Sequence, residues 1–220
     1  MGGRRAGGHI CIAMKFAAQN ILDALPGVAY VVDTGGIIAS VGRRGWRLFA
    51  AEAGALDLAD PGSVIGRSLF DFTAGDDVRH AYERLLERLR RGEPQLAMPC
   101  RCDSPGVVRD MRLSLSPIRH RRTVAAYLFQ SITLSERTRP PISLFEFASH
   151  HYPETVPMLA MCSMCERVNP GPSDGEDGWM QAEQYYACGG TSQVRISHTV
   201  CPACFRHWVQ GWTGTPPPAF

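Results

Sequence analysis

Two cysteine pairs of identical spacing limit this chain more than any other feature. Cys162-Ser-Met-Cys165 and Cys201-Pro-Ala-Cys204 are both C-x2-C, with 35 residues between them. A short C-x2-C turn presents two sulfurs on one side, and two such turns supply the four ligands of a tetrahedral cation. Zinc suits a closed thiolate shell because it is borderline-soft and demands nothing beyond four-coordination. Four thiolates also admit iron. A c-type haem attachment needs histidine directly after the second cysteine, and Glu166 and Phe205 stand there instead. Neither pair adjoins the βαβ pattern of a redox dithiol. His198, three residues before Cys201, is an alternative ligand or an outer hydrogen-bond partner. Cys11, Cys100, Cys102 and Cys188 form no matching pattern.

The segment 161–212 shows too little apolar periodicity to fold unaided. Zinc binding worth about 10–16 kcal/mol supplies the missing folding free energy. The expectation is a small structural-zinc module, ribbon- or knuckle-like. Thiolates that must stay reduced favour the cytoplasm. No apolar run reaches the roughly 18–20 residues that cross a bilayer. Near the start, Lys15 interrupts the apolar stretch after Arg4 and Arg5, so residues 1–16 read as a mobile tail and not a secretion signal, with Met14 as an alternative start.

Between tail and cysteines the pattern alternates strands and helices. A short helix spans Phe16 to Leu25; Val28 to Val32 and Ile37 to Val41 are strands joined by the Asp33-Thr-Gly-Gly36 turn. Trp46, Phe49 and Ala53 recur at helical intervals and read as core positions. The clearest helix follows Gly75-Asp-Asp77, with Val78, Ala81, Leu85 and Leu89 as its apolar stripe and arginines on its solvated face. Three strands follow: Gln95 to Cys102, one around Met111, Leu113 and Leu115, and Val124 to Leu134. The last is apolar on both faces and predicts a central strand. This order makes an α+β domain with an antiparallel sheet covered on one face. Residues 17–136 are assigned to it, 137–160 to a linker, 161–212 to the cysteine module and 213–220 to a mobile Pro-rich end. His150-His151 reads as a surface pair.

The element order resembles a PAS domain, strengthened by Leu25-Pro-Gly-Val-Ala-Tyr-Val-Val-Asp33, Val64-Ile-Gly-Arg-Ser-Leu-Phe-Asp-Phe72 and Arg101-Cys-Asp-Ser-Pro105. The tail looks like the cysteine motif that often follows such domains in bacterial signalling proteins. The resemblance implies a PAS-like five-stranded sheet with flanking helices, a pocket between sheet and helices, and a homodimer. Flavin-binding relatives carry Asn-Cys-Arg, which is absent. Haem-binding relatives use a histidine on the long helix, which makes His80 the candidate haem ligand of a gas or redox sensor. Tyr30 and Tyr127 are candidates to line the pocket.

The reading that follows is a non-catalytic signalling protein: a sensor joined to a zinc-stabilised element that contacts a protein partner. A zinc-ribbon regulator that binds nucleic acid is the alternative, and charge disfavours it. Residues 161–212 hold Arg167, Arg195 and Arg206 against five carboxylates, and four thiolates around a divalent cation add further negative charge. An enzyme finds no motif of the required kind. Oxidation of the four thiolates would expel the metal, so a redox switch is a variant of the main reading.

Overall fold

The computed structural model describes residues 17–146, 155–171 and 178–209. The expected tail (1–16, with Cys11), His150-His151 and the Pro-rich end lie outside the described residues. The first half runs α1 (Ala18–Ala24), β1 (Val28–Asp33), β2 (Ile38–Val41), α2 (Arg43–Glu52), α3 (Asp76–Arg90), β3 (Leu96–Arg101), β4 (Val107–His120) and β5 (Thr123–Thr138). These strands form one antiparallel sheet in the order β2-β1-β5-β4-β3. The strand read as apolar on both faces is central, as expected.

Local chemistry explains the joints. Asp33 Oδ1 accepts the N–H groups of Gly35 and Ile37 at 2.8 and 2.9 Å, closing the β1–β2 turn. Arg121 takes the left-handed φ of 56° in the β4–β5 hairpin. Asp76 and Asp77 occupy the first turn of α3, and Arg88 and Arg90 its last, so both ends complement the helix dipole. Its stripe of Val78, Ala81, Leu85 and Leu89 is buried, with Leu86, in one core with Val32, Leu115 and Phe129.

The second half comprises β6 (Met158–Cys162), β7 (Val168–Asn169), α4 (Ala182–Ala187), β8 (Arg195–Thr199) and α5 (Pro202–Val209). β6 pairs antiparallel with β7 and parallel with β8. This element does not stand apart. Cys162, Cys165, Cys201, Cys204, Met164 and Trp208 share the core that holds α3 and the large sheet. The chain that leads to it is likewise docked: Ile142 is buried, and its N–H donates to Pro105 O at 3.0 Å.

Three contacts seat the second half. β3 is the sheet's outer strand, and its Arg101 N–H donates to Met164 O at 2.9 Å. Thr199 Oγ1 donates to Asp77 Oδ2 at 2.8 Å at one end of α3, and Arg88 Nη1 donates to Trp208 O at 2.8 Å towards the other. Just ahead of α3, Gly75, at φ +91°, lies so close to β8 that a Cβ would stand 2.2 Å from the His198 carbonyl oxygen. Gly75→Ala is therefore expected to lower stability by about 1–3 kcal/mol. Urea unfolding reads this, and hydrogen exchange should show β8 and α5 opening before β4 and β5.

Candidate metal centre

The two cysteine pairs sit on different local frames. β6 ends at Cys162, and the chain turns through Ser163, Met164 and Cys165 into β7. Glu166 closes this knuckle with a φ of 56°, its N–H donating to Cys162 O at 2.8 Å. The second pair comes from the far end of β8, where Cys201 precedes α5 and Cys204 lies in its first turn. A hydrogen bond from Ser163 N to Thr199 O at 2.9 Å ties the two frames together. The second pair is thus presented by a helix start and not by the second hairpin that a ribbon would use, which corrects that part of the expectation.

All four sulfurs lie within 4.8 Å of one another. Zinc at about 2.3 Å from four tetrahedral sulfurs sets them about 3.8 Å apart, and Cys165 Sγ stands 3.8 Å from Cys201 Sγ. The side chains are buried, from 0% exposure at Cys162 to 5% at Cys204. Two backbone donors point at the sulfurs: Cys201 N–H at 3.3 Å from Cys162 Sγ, and Cys204 N–H at 3.4 Å from Cys201 Sγ. These bonds and the helix start offset the surplus negative charge of four thiolates. Hydrogen bonds from the other three thiols, helped by the Cys201 N–H and opposed by burial, leave the Cys162 thiol far below its ordinary range. The donor set fits a closed, structural zinc shell.

Among the described residues the quartet consists of sulfurs alone. His198 lies on β8 with Nδ1 3.4 Å from Ser163 Oγ, beside the knuckle and outside the four. Cys100 and Cys102 are separate; burial pushes both thiols up to about 12. Cys188 is exposed and unbridged.

A buried ionic cluster, which the sequence reading missed, braces the same joint. Asp103, whose side chain is fully buried, pairs with Arg101 and, at 2.8 Å, with Arg139 Nη1. Arg139 also reaches Glu183 at 3.0 Å, and Arg101 donates to Gln181. Glu166 accepts the Asp103 N–H on both carboxylate oxygens, at 2.9 and 3.0 Å. Burial first, and then the negative Asp103, push its pKa to about 8. No local signal could have found this cluster, since its partners lie up to 80 residues apart.

A cavity of about 750 Å³ opens between the large sheet, α2 and the cysteine element. Tyr30 lines it, stacked on Phe129 at 5.0 Å, with Trp46 edge-on at 6.0 Å and Tyr82 from α3 nearby. Trp46 and Phe49 also face it, so they are wall residues as well as packing residues. Trp46 is fixed by donating Nε1–H to Leu58 O at 2.7 Å. Tyr127 is fully buried in the core and is not in the wall. The haem expectation for His80 is corrected: the residue is exposed on α3, its Nε2 accepts from Arg84 Nε at 3.4 Å, and it does not line the cavity. The member of α3 that faces inward is Tyr82.

With this geometry in place, comparison with known proteins is informative. The sequence profile described as the PAS fold matches residues 22–139, ending before the first of the four cysteines. Similar solved structures include the PAS domain of BvgS from Bordetella pertussis, at 16% identity over 54% of this chain and 85% of that one, with TM-score 0.42. Another is the photoactive yellow protein domain of the sensor histidine kinase Ppr from Rhodospirillum centenum, at 20% identity over 52% and 92%, with TM-score 0.39. A third is the PAS domain of nitrogen regulation protein NR(II) from Vibrio parahaemolyticus, at 16% identity over 55% and 100%, with TM-score 0.36. No curated protein sequence matches the chain.

Cys165→Ser replaces a thiolate with a poor ligand in a buried shell and is expected to abolish stoichiometric zinc in elemental analysis. Glu166 adds a pH signature. Its raised pKa means that its contribution to stability is present in full below the unfolded carboxyl range and is lost as pH rises through about 8. Glu166→Gln keeps an acceptor for the Asp103 N–H without the proton. With zinc held in excess, urea unfolding at about pH 5 and about pH 9 should show wild type losing ground to Glu166→Gln at the higher value.

Proposed function

The chain belongs to the PAS-fold family, and from that premise we propose that it is a non-catalytic signalling protein in which a structural zinc ion locks the C-terminal element onto a sensor domain. The observation that carries this reading is that four buried sulfurs within 4.8 Å of one another sit in the same core as α3 and the sheet. Metal binding of about 10–16 kcal/mol would then stabilise the sensor as well as the element. Cys162, Cys165, Cys201 and Cys204 would hold the ion, which supplies cross-linking and no open coordination position for chemistry.

PAS domains serve widely as sensory modules, and the cavity beneath the sheet gives this one a place for a stimulus to act. Output leaves by a change of binding surface, through a homodimer or a protein partner. The acidic balance of the cysteine segment supports a protein partner over nucleic acid. No helix among the described residues is long and apolar enough to cross a membrane. A cytoplasmic setting suits thiolates that must stay reduced. The near-complete burial of the sulfurs supports a structural role over ready oxidation.

The test is elemental analysis with an absorption spectrum on full-length protein purified under reducing conditions. One zinc per chain and no visible band is expected; iron, no metal, or a haem or flavin band would overturn the reading. Stripping the zinc with a chelator is expected to speed amide exchange in β3 as well as in β6 and β8, because Met164 and Arg101 share a hydrogen bond.

A further inference from the structure

Two arginine runs, separate in the chain, meet at one end of the molecule. Arg88-Leu-Arg-Arg91 closes α3, and Arg119-His-Arg-Arg122 makes the tip of the β4–β5 hairpin. Arg119 Nη2 donates to Leu89 O at 3.2 Å, across 30 residues, and so places a cation on a last-turn carbonyl of the helix. The Arg90 guanidinium lies 5.8 Å from the centroid of the Tyr127 ring on β5. Arg88 is engaged elsewhere, donating to Trp208 O and pairing with Glu93.

The rest of this cluster is short of anions. Arg90 and Arg91 share one carboxylate, that of Glu87, at 3.6 and 2.9 Å. Arg121 and Arg122 are exposed and carry no ion pair among the described residues. Arg121 also holds the first turn position of the hairpin at a φ of 56°, a conformation that glycine adopts at little cost and arginine does not. Thr123 Oγ1 already closes that turn by donating to His120 O at 3.0 Å, so the backbone has no need of arginine there. A side chain kept at a left-handed φ, with no ion pair inside the chain to offset the strain, points to a use outside the chain.

We propose that this end of the molecule docks an acidic segment of a protein partner, anchored by Arg121 and Arg122 of the hairpin and by Arg90 and Arg91 of α3. The proposal rests on the reading of the chain as a signalling protein that acts through a protein partner, and not on the metal. Guanidinium forks match carboxylates two hydrogen bonds at a time, which suits separate acidic side chains. Glu87 and Glu93 interrupt the cationic surface, so a partner must set its own charges between them. A nucleic-acid strand or a membrane fits less well. No aromatic residue is among the exposed large hydrophobic side chains of the described residues, so bases find no stacking platform. The hairpin tip, residues 120–123, is polar throughout and offers no apolar side chain for insertion into lipid.

The experiment uses the full chain loaded with zinc and a rhodamine-labelled peptide of alternating glutamate and alanine, read by fluorescence anisotropy. Saturable one-to-one binding is expected, weakening as salt is added. Arg121→Gly and Arg122→Gln should each weaken it about two- to fivefold, the worth of one exposed ion pair, while zinc content stays at one. Arg121→Gly should also raise the urea midpoint, because glycine takes the left-handed φ without strain; were the arginine merely structural, the midpoint would fall. Arg137→Gln, which removes an exposed charge from the far end of β5, should leave binding unchanged. Absent or unsaturable binding in a chain that carries one zinc overturns this inference and leaves the centre standing. Equal loss in the Arg137 variant overturns the placement, as does wild-type affinity in both hairpin variants. Tighter binding of oligothymidylate or of phosphatidylserine vesicles overturns the choice of a protein partner. Binding through Arg121 in a chain without zinc upholds this surface and overturns the centre.

Discussion

One backbone hydrogen bond, from Arg101 at the open edge of the sheet to Met164 in the cysteine knuckle, marks the joint around which the molecule is organised. An outer strand presents donors and acceptors that must find partners or water. Here the partner is the turn that carries two of the four clustered sulfurs. The edge of the sensor sheet and the geometry of the centre therefore constrain each other.

The buried charges reinforce the same joint. Asp103 lies out of water between Arg101 and Arg139, and a carboxylate so placed is tolerable only when paired and hydrogen-bonded. Removing one partner of such a group costs about 3–5 kcal/mol, so the cluster penalises any arrangement in which the halves separate. It selects one docking and adds little net stability over an apolar interface. The sulfurs and this cluster lie on either side of Glu166, whose carboxyl group serves the second and whose backbone closes the first.

This arrangement changes what a PAS-family fold means in this chain. The cavity beneath the sheet is partly walled by residues beyond the family match, among them Trp208 and Ile196. A stimulus that acts there presses on the cysteine element directly, without a linker to transmit it. Residues 137–146, expected to be a connection, instead contribute the end of β5, the buried Arg139 and Ile142, and part of the cavity wall.

Much of this was legible from the chain alone where the signal is local. The C-x2-C spacing pointed to the four sulfurs that the fold brings within 4.8 Å of one another, because a short turn dictates which way two sulfurs point. The α3 stripe announced its burial and the apolar run of β5 its central place in the sheet, although β5 buries only Tyr127 and Phe129. Two features had no such signature: the Arg101–Asp103–Arg139 cluster, and the fusion of the cysteine element with the sensor core. Each depends on which distant surfaces meet, and pairing across 120 residues, as between Arg88 and Trp208, leaves no periodic trace in either segment. Local geometry was written in residue order; burial of the charges and the shape of the cavity arose only when the two halves closed on each other.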